Sequence, residues 1–222
     1  MSDKSTKVIA LEENVLSEND KVAREVRASL AAKGQYAINF MSSPGSGKTT
    51  MLCETMRRIK DFFPVVVIEG DQQTSNDAER IRQTGVRAHQ INTGENCHLE
   101  AYMVRQAMDA LDPEEGAVVF IENVGNLVCP AAFDLGENLK VVVLSVTEGD
   151  DKPLKYPYMF MTCDVMLVTK TDLAPYVDFD IPKCIEAALS VNPKLKVFTL
   201  SSKTKEGFEE WVDFLKGLKK AV

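Results

Sequence analysis

The segment 42–50, which reads SSPGSGKTT, constrains what this chain can fold into more than any other part of it. Before it lies the apolar run 36–41, which is typical of a buried strand, and after it lies the stretch 51–59, which is typical of a helix. A strand, a glycine-rich turn and a helix in this order form the context of a phosphate-binding P-loop. The segment therefore predicts a nucleotide-binding turn rather than a glycine turn without a ligand.

The residues of this turn have roles that follow from their chemistry. Gly45 and Gly47 let the backbone wrap closely, so that N–H groups and the helix N-terminus can point at phosphate oxygens. Lys48 would reach the β- and γ-phosphates, and the Thr49 hydroxyl would hold Mg²⁺. Ser42 stands where such motifs usually begin with glycine, and we expect this small side chain to be tolerated.

The composition favours a globular, cytoplasmic protein. Its 222 residues are 45% hydrophobic, which is ample for one sizeable domain or two small ones. The 33 acidic residues outnumber the 26 basic residues, which argues against nucleic acid as a partner because phosphate backbones need a basic face. No apolar run approaches the roughly 20 residues that span a bilayer, and the N-terminus lacks an apolar signal region. The five scattered cysteines form no disulfide framework, as expected of a reduced protein with no membrane partner.

Apolar strands and helices alternate along the chain. Apolar residues at helical spacing predict a helix over 17–33 that packs on the core, and another helix over 205–219. Several strand candidates are continuous apolar runs, which suit a parallel sheet covered on both faces. We predict an α/β P-loop NTPase fold, with a mostly parallel sheet of about seven strands in three α/β/α layers. The strand candidates are 36–41, 64–69, 86–91, 117–122, 140–146, 164–169 and 195–200, with helices between them.

Acidic residues follow two of the predicted strands, at the edge where a parallel sheet binds its ligands. Asp71 comes just after the run 65–68, and Glu122 follows the run 118–121, with Gly125 three residues later. This pattern matches a Walker-B and switch arrangement with Glu in place of Asp. Glu122 and Asp71 would hold Mg²⁺, and the Gly125 N–H would sense the γ-phosphate. Asp71 is also a candidate for aligning the attacking water.

The segment 169–172 reads TKTD and resembles the guanine-recognition motif Asn-Lys-x-Asp of GTPases. The Asp172 carboxylate can accept from both guanine N1–H and N2–H₂, which adenine cannot match. The alkyl stem of Lys170 can pack on the base. Thr169 replaces the usual Asn, so a supporting hydrogen bond is altered. The segment 201–203 resembles the second loop that contacts the base, and together these segments favour GTP over ATP.

Cys97, His98 and Cys129 form a candidate metal site. The first two open a predicted helix, and a cysteine near a helix N-terminus has a lowered pKa. Thiolate and imidazole ligands suit Zn²⁺ or Ni²⁺. Three ligands are too few for a closed structural site, although a second copy of the chain could complete it. The other interpretation, ordinary buried cysteines and a helix-cap histidine, stays open on the residues alone. Three further cysteines are expected in the core: Cys53, Cys163 and Cys184.

Longer segments resemble a known family. The run 122–130, which reads ENVGNLVCP, is very specific, and it is accompanied by matching segments elsewhere in the chain. On these segments the chain resembles the HypB family, the nickel-incorporation GTPases of hydrogenase maturation, which are relatives of the urease accessory GTPase UreG. The accompanying segments are 43–49, 70–74, 77–81, 97–99 and 148–157.

This resemblance implies a fold in the dimerising, SIMIBI class of P-loop GTPases. It implies slow hydrolysis of GTP to GDP and phosphate, coupled to nickel delivery, and Asn126 in the place of a water-orienting glutamine fits slow turnover. It also implies a homodimer favoured by GTP and metal, with Cys97, His98 and Cys129 as Ni²⁺ or Zn²⁺ ligands at the interface. The implied partners are the nickel chaperone HypA and the hydrogenase large-subunit precursor.

The candidate site residues fall into three groups beside these metal ligands. The catalytic candidates are Lys48, Asp71, Glu122 and Gly125. The nucleotide-binding candidates are Gly45, Ser46, Gly47, Lys48, Thr49, Thr50, Lys170, Asp172, Ser201, Ser202 and Lys203. The Mg²⁺ candidates are Thr49, Asp71 and Glu122. Residues 1–34 are expected to form an N-terminal segment with a helix, and 35–222 a P-loop GTPase domain with an embedded metal site.

The sequence departs from some family members, and three other functions stay open. Residues 1–30 contain no cysteine and no histidine, so the N-terminal nickel-storage motifs of some members are missing from this stretch. A small-molecule P-loop kinase would share 42–50 but would leave 170–172 unexplained. A metal-binding protein gated by nucleotide, with little catalysis, is a second alternative. A urease-type accessory GTPase is a third, although that relative usually carries its metal on a Cys-Pro-His segment.

Overall fold

The computed structural model describes residues 2–72 and 76–219, with side chains described from residue 15. Met1, residues 73–75 and residues 220–222 lie outside the described part. Gln73 and Thr74 of the segment 70–74 therefore lie outside it, as do the extreme ends of the two predicted domain ranges. The division into 1–34 and 35–222 stays a prediction.

A sheet of seven parallel strands forms the middle layer, as the apolar runs predict. The strands are β1 (Tyr36–Ser42), β2 (Val65–Asp71), β3 (Arg87–Asn92), β4 (Val118–Gly125), β5 (Leu139–Ser145), β6 (Val165–Thr169) and β7 (Lys196–Thr199). Their order across the sheet is β3-β2-β4-β1-β5-β6-β7. Because all strands run the same way, the carboxyl ends of β1, β2 and β4 meet at one edge, which is where ligands bind in such sheets.

Helices cover both faces of this sheet. They are α1 (Ser2–Ala32), α2 (Lys48–Ile59), α3 (Asn76–Arg82), α4 (Ala101–Leu111), α5 (Lys152–Lys155), α6 (Pro157–Thr162), α7 (Ile181–Val191) and α8 (Phe208–Lys219). Apolar side chains of α2, α3 and α8 pack on one face. Those of α1 and α4 pack on one half of the other face, and those of α6 and α7 pack on its other half. The predicted three-layer α/β/α architecture is confirmed.

Aromatic side chains fill the layer between the sheet and the P-loop helix α2. The Phe40 and Phe120 rings stack with centroids 5.5 Å apart on neighbouring strands. Trp211 of α8 meets Phe40 edge-on at 6.2 Å, and its indole N–H donates to Thr55 Oγ1 of α2 at 3.1 Å. Burial of these large side chains supplies much of the apolar stabilisation and fixes α2 relative to β1.

Two elements differ from the sequence prediction. Helix α1 begins at Ser2 rather than at residue 17, because the stretch before Ser17 has no Pro or Gly and a serine cap is only a local preference. Between β4 and β5 the described chain has a 3₁₀ turn, Cys129–Ala131, instead of the expected α-helix. Pro130 and Gly136 interrupt this connection, and both residue types disfavour a helix interior.

Helix α1 is fixed to the core through a buried polar contact. The Asn19 side chain donates to Asp134 O at 2.8 Å, and its Oδ1 accepts from Ala101 N–H at 2.8 Å. One side chain therefore joins α1 to the start of α4 and to the connection after β4. Arg27 adds an ion pair with the Asp134 carboxylate at 2.7 Å. Among the described helices, none is both long and apolar enough to cross a lipid bilayer.

We expect Asn19→Ala to lower the free energy of unfolding by about 1–3 kcal/mol, because it leaves the buried N–H of Ala101 and the half-buried carbonyl of Asp134 without partners. Urea denaturation, followed by circular dichroism, measures this change. Asp20→Ala, at an exposed position next to it, should change stability by no more than about 0.5 kcal/mol. Equal losses for the two variants would contradict this role for Asn19.

Candidate functional site

The P-loop connects β1 to α2 in the conformation that phosphate binding requires. Gly47 has φ of 85°, a left-handed conformation that glycine adopts without strain, and it precedes the first residue of α2. No side chain in the described chain caps the N-terminus of α2, so its first N–H groups face the adjacent cleft. This cleft has a volume of about 520 Å³ and is lined by residues 42–50, including Gly45 and Ser46.

The cleft extends over the ends of β2 and β4, where Glu122 meets the P-loop. Thr49 Oγ1 donates to Glu122 Oε1 at 2.6 Å, and Lys48 Nζ lies 3.4 Å from the same oxygen. Glu122 is only 2% exposed. Burial raises the pKa of Glu122, while Lys48 and the Thr49 hydroxyl oppose this shift. The structure therefore brings together three of the residues that the sequence assigns to Mg²⁺ and phosphate.

Glu69 and Asp77 join Glu122 in a compact carboxylate group that sequence reasoning missed. Oxygen atoms of the three residues lie within 4.8 Å of one another. Glu69 is the direct neighbour of Glu122 across β2 and β4. Burial, reinforced by the Glu122 charge, raises the pKa of Glu69 to about 8. Asp71 lines the cleft but does not belong to this group.

This carboxylate group fits a divalent cation. Glu69 Oε2 and Glu122 Oε2 are buried, and neither has a hydrogen-bond partner within the described residues. A buried carboxylate oxygen needs a hydrogen-bond donor or a cation as its partner. Mg²⁺ can be that cation, because it prefers carboxylate, hydroxyl and water oxygens. The sequence signal for Glu69 is a charged residue inside the apolar run 65–71, where a strand of a parallel sheet is buried on both faces.

Gly125 brings the end of β4 against the P-loop. A Cβ atom at this position would lie 2.9 Å from Pro44 Cα and 3.0 Å from Pro44 N. Any larger residue would therefore push β4 and the P-loop apart. Gly125 therefore lies in close contact with the loop that is predicted to bind the phosphates.

The predicted guanine-recognition residues lie beside the P-loop. Ser201 Oγ donates to Asp172 Oδ1 at 2.6 Å, which joins the two segments that are predicted to contact the base. Lys170 has φ of 58°, and its ammonium donates to Gly45 O at 2.7 Å. An adjacent cavity of about 250 Å³ could receive a base. Its lining residues are Gly47, Thr50, Thr169, Lys170, Asp172, Leu173, Ser202 and Lys203.

Thr169 forms a hydrogen bond with the P-loop. Its hydroxyl donates to Ser46 O at 2.6 Å, so the end of β6 remains tied to the P-loop without the usual Asn. Lys205, which sequence reasoning missed, fixes the other base loop. Lys205 Nζ donates to Glu54 Oε2 of α2 at 2.8 Å and to Ser202 O at 2.7 Å. Only the folded chain reveals this link, because the motif reads as an ordinary charged loop.

The structure also brings together Cys97, His98 and Cys129. One ligand atom from each lies within 4.8 Å of the others, and Cys97 Sγ is 3.8 Å from His98 Nδ1. His98 packs on Phe133 with ring centroids 3.9 Å apart. Its buried Nε2 has no hydrogen-bond partner in the described part of the chain, since Glu100 Oε1 is 4.0 Å away. Burial lowers the pKa of His98, which favours the neutral imidazole that binds metals.

The thiols of Cys129 and Cys97 interact directly. A hydrogen bond with the Cys97 thiol raises the pKa of Cys129, and partial burial adds to the shift. Two neighbouring thiols resist losing both protons unless a cation replaces those protons. Helix α4 also begins at Ala101, so Cys97 and His98 precede the helix rather than open it. The three cysteines expected in the core are buried: Cys53, Cys163 and Cys184.

The nucleotide cleft and the thiol–imidazole group are connected through the segment after β4. Asn126 Nδ2 donates to Cys97 O at 3.3 Å, and Asn126 Oδ1 accepts from Val128 N–H at 2.8 Å. Asn123, next to Glu122, accepts from Leu99 N–H at 3.1 Å. The segment with Cys97 and His98 is therefore hydrogen-bonded to the segment 122–129, which carries both Glu122 and Cys129.

Comparisons with known proteins agree with this geometry. Residues 36–199 match the family model described as "CobW/HypB/UreG, nucleotide-binding domain". The hydrogenase maturation factor HypB of Rhizobium leguminosarum bv. viciae is 57% identical over 209 residues, which cover 94% of this chain and 70% of that protein.

Two solved structures have the same fold as this chain. HypB from Archaeoglobus fulgidus is 41% identical with a TM-score of 0.86, over 92% of this chain and 100% of that one. HypB from Helicobacter pylori, solved in complex with nickel, is 44% identical with a TM-score of 0.86, over 92% and 96% of the two chains. This chain therefore belongs to the HypB family of hydrogenase maturation factors, within the CobW/HypB/UreG group of nucleotide-binding proteins.

Proposed function

We propose that this protein is a GTP-hydrolysing metallochaperone that couples GTP binding and hydrolysis to nickel delivery during maturation of [NiFe]-hydrogenase. One observation carries the proposal. The segment that begins with Glu122 at the P-loop ends with Cys129 in the thiol–imidazole group, and Asn126 between them contacts Cys97. A movement of this segment with the γ-phosphate would therefore move metal ligands directly.

GTP hydrolysis would use the residues that surround the phosphates. The N–H groups of the P-loop and Lys48 would hold the β- and γ-phosphates, and the Gly125 N–H would sense the γ-phosphate. Bound Mg²⁺ would neutralise charge on the phosphate oxygens, held by Thr49 and Glu122 near Glu69 and Asp77. Asp71 lines the cleft and could orient the attacking water. Asn126 in the place of a glutamine fits slow intrinsic turnover.

Nickel is the cargo in this proposal. Two thiols and one imidazole suit Ni²⁺, and they also suit Zn²⁺. A HypB relative has been solved in complex with nickel, which supports the assignment. The three ligands from one chain leave coordination positions open, so a second copy of the chain could complete the site. We therefore propose a homodimer favoured by GTP and metal, acting in the cytoplasm.

The partners follow from the same proposal. Nickel would come from the chaperone HypA and pass to the hydrogenase large-subunit precursor. The net charge of −7 is consistent with protein partners rather than nucleic acid. A urease-type accessory GTPase would share the chemistry and differ in its client. A nucleotide-gated metal carrier would bind GTP without hydrolysing it, and a kinase would need an acceptor.

Phosphate release from GTP without any acceptor separates these activities. We expect the wild-type protein to release phosphate slowly, and Lys48→Ala to lower the rate by about 100-fold or more, because it removes a preorganised positive charge at the reacting phosphates. Lys21→Ala, at an exposed position of α1, is the control. A wild-type rate equal to that without protein would rule out the hydrolytic part of the proposal.

Asp172 tests the base preference. We expect Asp172→Asn to weaken GTP binding by about 10- to 100-fold, because guanine loses a charged acceptor. XTP binding should improve, since the new amide can donate to the xanthine 2-oxo group and accept from N1–H. Competition binding of GTP and XTP measures both changes. Asp178→Asn, at a nearby exposed position, should alter neither affinity, and an unchanged preference in Asp172→Asn would contradict guanine recognition by this residue.

Nickel affinity, measured with GDP and with a non-hydrolysable GTP analogue, tests the coupling. We expect the analogue to change Ni²⁺ affinity. Cys97→Ala should lower it by at least about tenfold, since even groups that only orient a ligand contribute 10–100-fold. Asn126→Ala should retain nickel binding but reduce the difference between the two nucleotides. Cys53→Ala, at a buried cysteine outside the site, is the control.

The outcomes of the nickel titration are distinct. If the nickel affinity is the same with both nucleotides and is unchanged in Cys97→Ala, the thiols are structural. A difference between nucleotides that persists unchanged in Asn126→Ala would mean that the coupling takes another route than the contact with Cys97.

A further inference from the structure

Arg80 on α3 has a position that the functions described above leave unexplained. Its Nη1 donates to Asp77 Oδ1 at 2.9 Å, and its Nη2 donates to Thr50 Oγ1 at 2.7 Å. The guanidinium therefore bridges the carboxylate group and the first turn of the P-loop helix α2. The side chain is 45% exposed and lines the nucleotide cleft.

The contact with Thr50 places Arg80 next to phosphate-binding backbone. Thr50 directly follows Thr49 in the first turn of α2, where unpaired N–H groups face the cleft. Through this contact the Arg80 guanidinium lies beside the first turn of α2, in the lining of the same cleft. The pair with Asp77, one turn earlier on the same helix, holds the guanidinium in that orientation.

The negative charge of the cleft also favours an additional cation such as Arg80. Its two lysines are already engaged: Lys48 lies near Glu122, and Lys170 donates to Gly45 O. A triphosphate brings further negative charge into a cleft that already contains several carboxyl groups. Arg80 supplies a third positive charge at the same cleft. The carboxyl groups are those of Glu69, Asp71, Asp77 and Glu122.

The chemistry of a guanidinium suits this task better than that of an ammonium. It has five N–H donors in a planar fork that matches phosphate oxygens. Its hydrogen bonds to described residues use two of these donors. The others can bind a ligand while Asp77 and Thr50 keep the group oriented.

We propose that Arg80 is a phosphate-binding residue, which α3 supplies within the same chain to the phosphate groups of the bound nucleotide. This inference rests on the proposed function, since it takes a guanine nucleotide as the ligand. It adds a second cationic contact, beside that of Lys48, to the N–H groups of the P-loop backbone. It also gives α3 a function, because the helix after β2 carries both Asp77 of the carboxylate group and Arg80.

Arg82 provides a matched control on the same helix. Its side chain is 41% exposed, it pairs with Glu79 at 3.3 Å, and it is not among the residues that line the cleft. Arg80→Gln and Arg82→Gln therefore change charge and helix composition equally. Titration calorimetry with Mg²⁺ would give the affinities for GDP and a non-hydrolysable GTP analogue. Competition would give the affinity for guanosine, which has no phosphate.

We expect Arg80→Gln to weaken binding of GDP and of the analogue by at least about tenfold, as for loss of a hydrogen bond between charged groups. Its guanosine affinity, and all affinities of Arg82→Gln, should stay within about twofold of the wild type. Arg80→Lys, which keeps the charge but not the fork, should fall between Arg80→Gln and the wild type.

Three results would overturn the assignment of Arg80. These are unchanged nucleotide affinity in Arg80→Gln, an equal loss for guanosine, and an equal loss in Arg82→Gln. The last two would mean that the arginine only stabilises the fold. A wild-type protein that binds no guanine nucleotide would refute the proposed function and this inference together, whereas normal wild-type binding with an unaffected Arg80→Gln refutes the inference alone.

Discussion

The site depends on the interactions of the buried Glu122 carboxylate with Lys48 and Thr49. A carboxylate without water is costly unless it is paired and hydrogen-bonded, and Glu122 has Lys48 and Thr49 on one oxygen only. Its other oxygen, and one of Glu69, have no partner among the residues described. The fold therefore holds buried carboxylate oxygens beside the P-loop whose negative charge a divalent cation can compensate. If Mg²⁺ binds together with the phosphates, as the proposed function requires, it would favour the nucleotide-bound state.

Strand β4 connects the Glu122 site with the metal candidates, because successive side chains of a strand point to opposite faces of the sheet. Glu122 faces the P-loop, and Asn123 faces the other side of the sheet. Asn123 is 1% exposed and accepts from the N–H groups of both Leu99 and Val124. It also donates to Asn39 at 3.3 Å. Its hydrogen bonds thus fix the segment after Cys97 to the strand that carries Glu122.

Local patterns in the sequence predicted the seven strands, the P-loop and the segment 169–172, because each depends on neighbouring residues. The pairing of Cys97 with Cys129 came from the family resemblance, since composition and spacing left it open. Contacts between distant segments were not predictable: Glu69 reads as part of an apolar strand, and Arg80 reads as an exposed helix residue. Their roles depend on how β2, α3 and α2 pack, which no short pattern encodes. The raised pKa of Cys129 was not predictable for the same reason, because it depends on the Cys97 thiol from another segment.

The strength of the proposed coupling follows from how few contacts connect the two sites. Linkage requires that nickel change GTP affinity by the same factor as GTP changes nickel affinity. Covalent continuity joins Glu122 to Cys129, whereas Cys97 depends on the bond from Asn126 at 3.3 Å and on the neighbouring bond from Leu99 to Asn123. Each neutral hydrogen bond contributes about 0.5–1.5 kcal/mol net. Two such bonds, about 1–3 kcal/mol together, would support a change in affinity of about 5- to 150-fold. A coupling of this size can bias nickel release without making it depend entirely on the nucleotide, which is compatible with the proposed delivery to a protein partner.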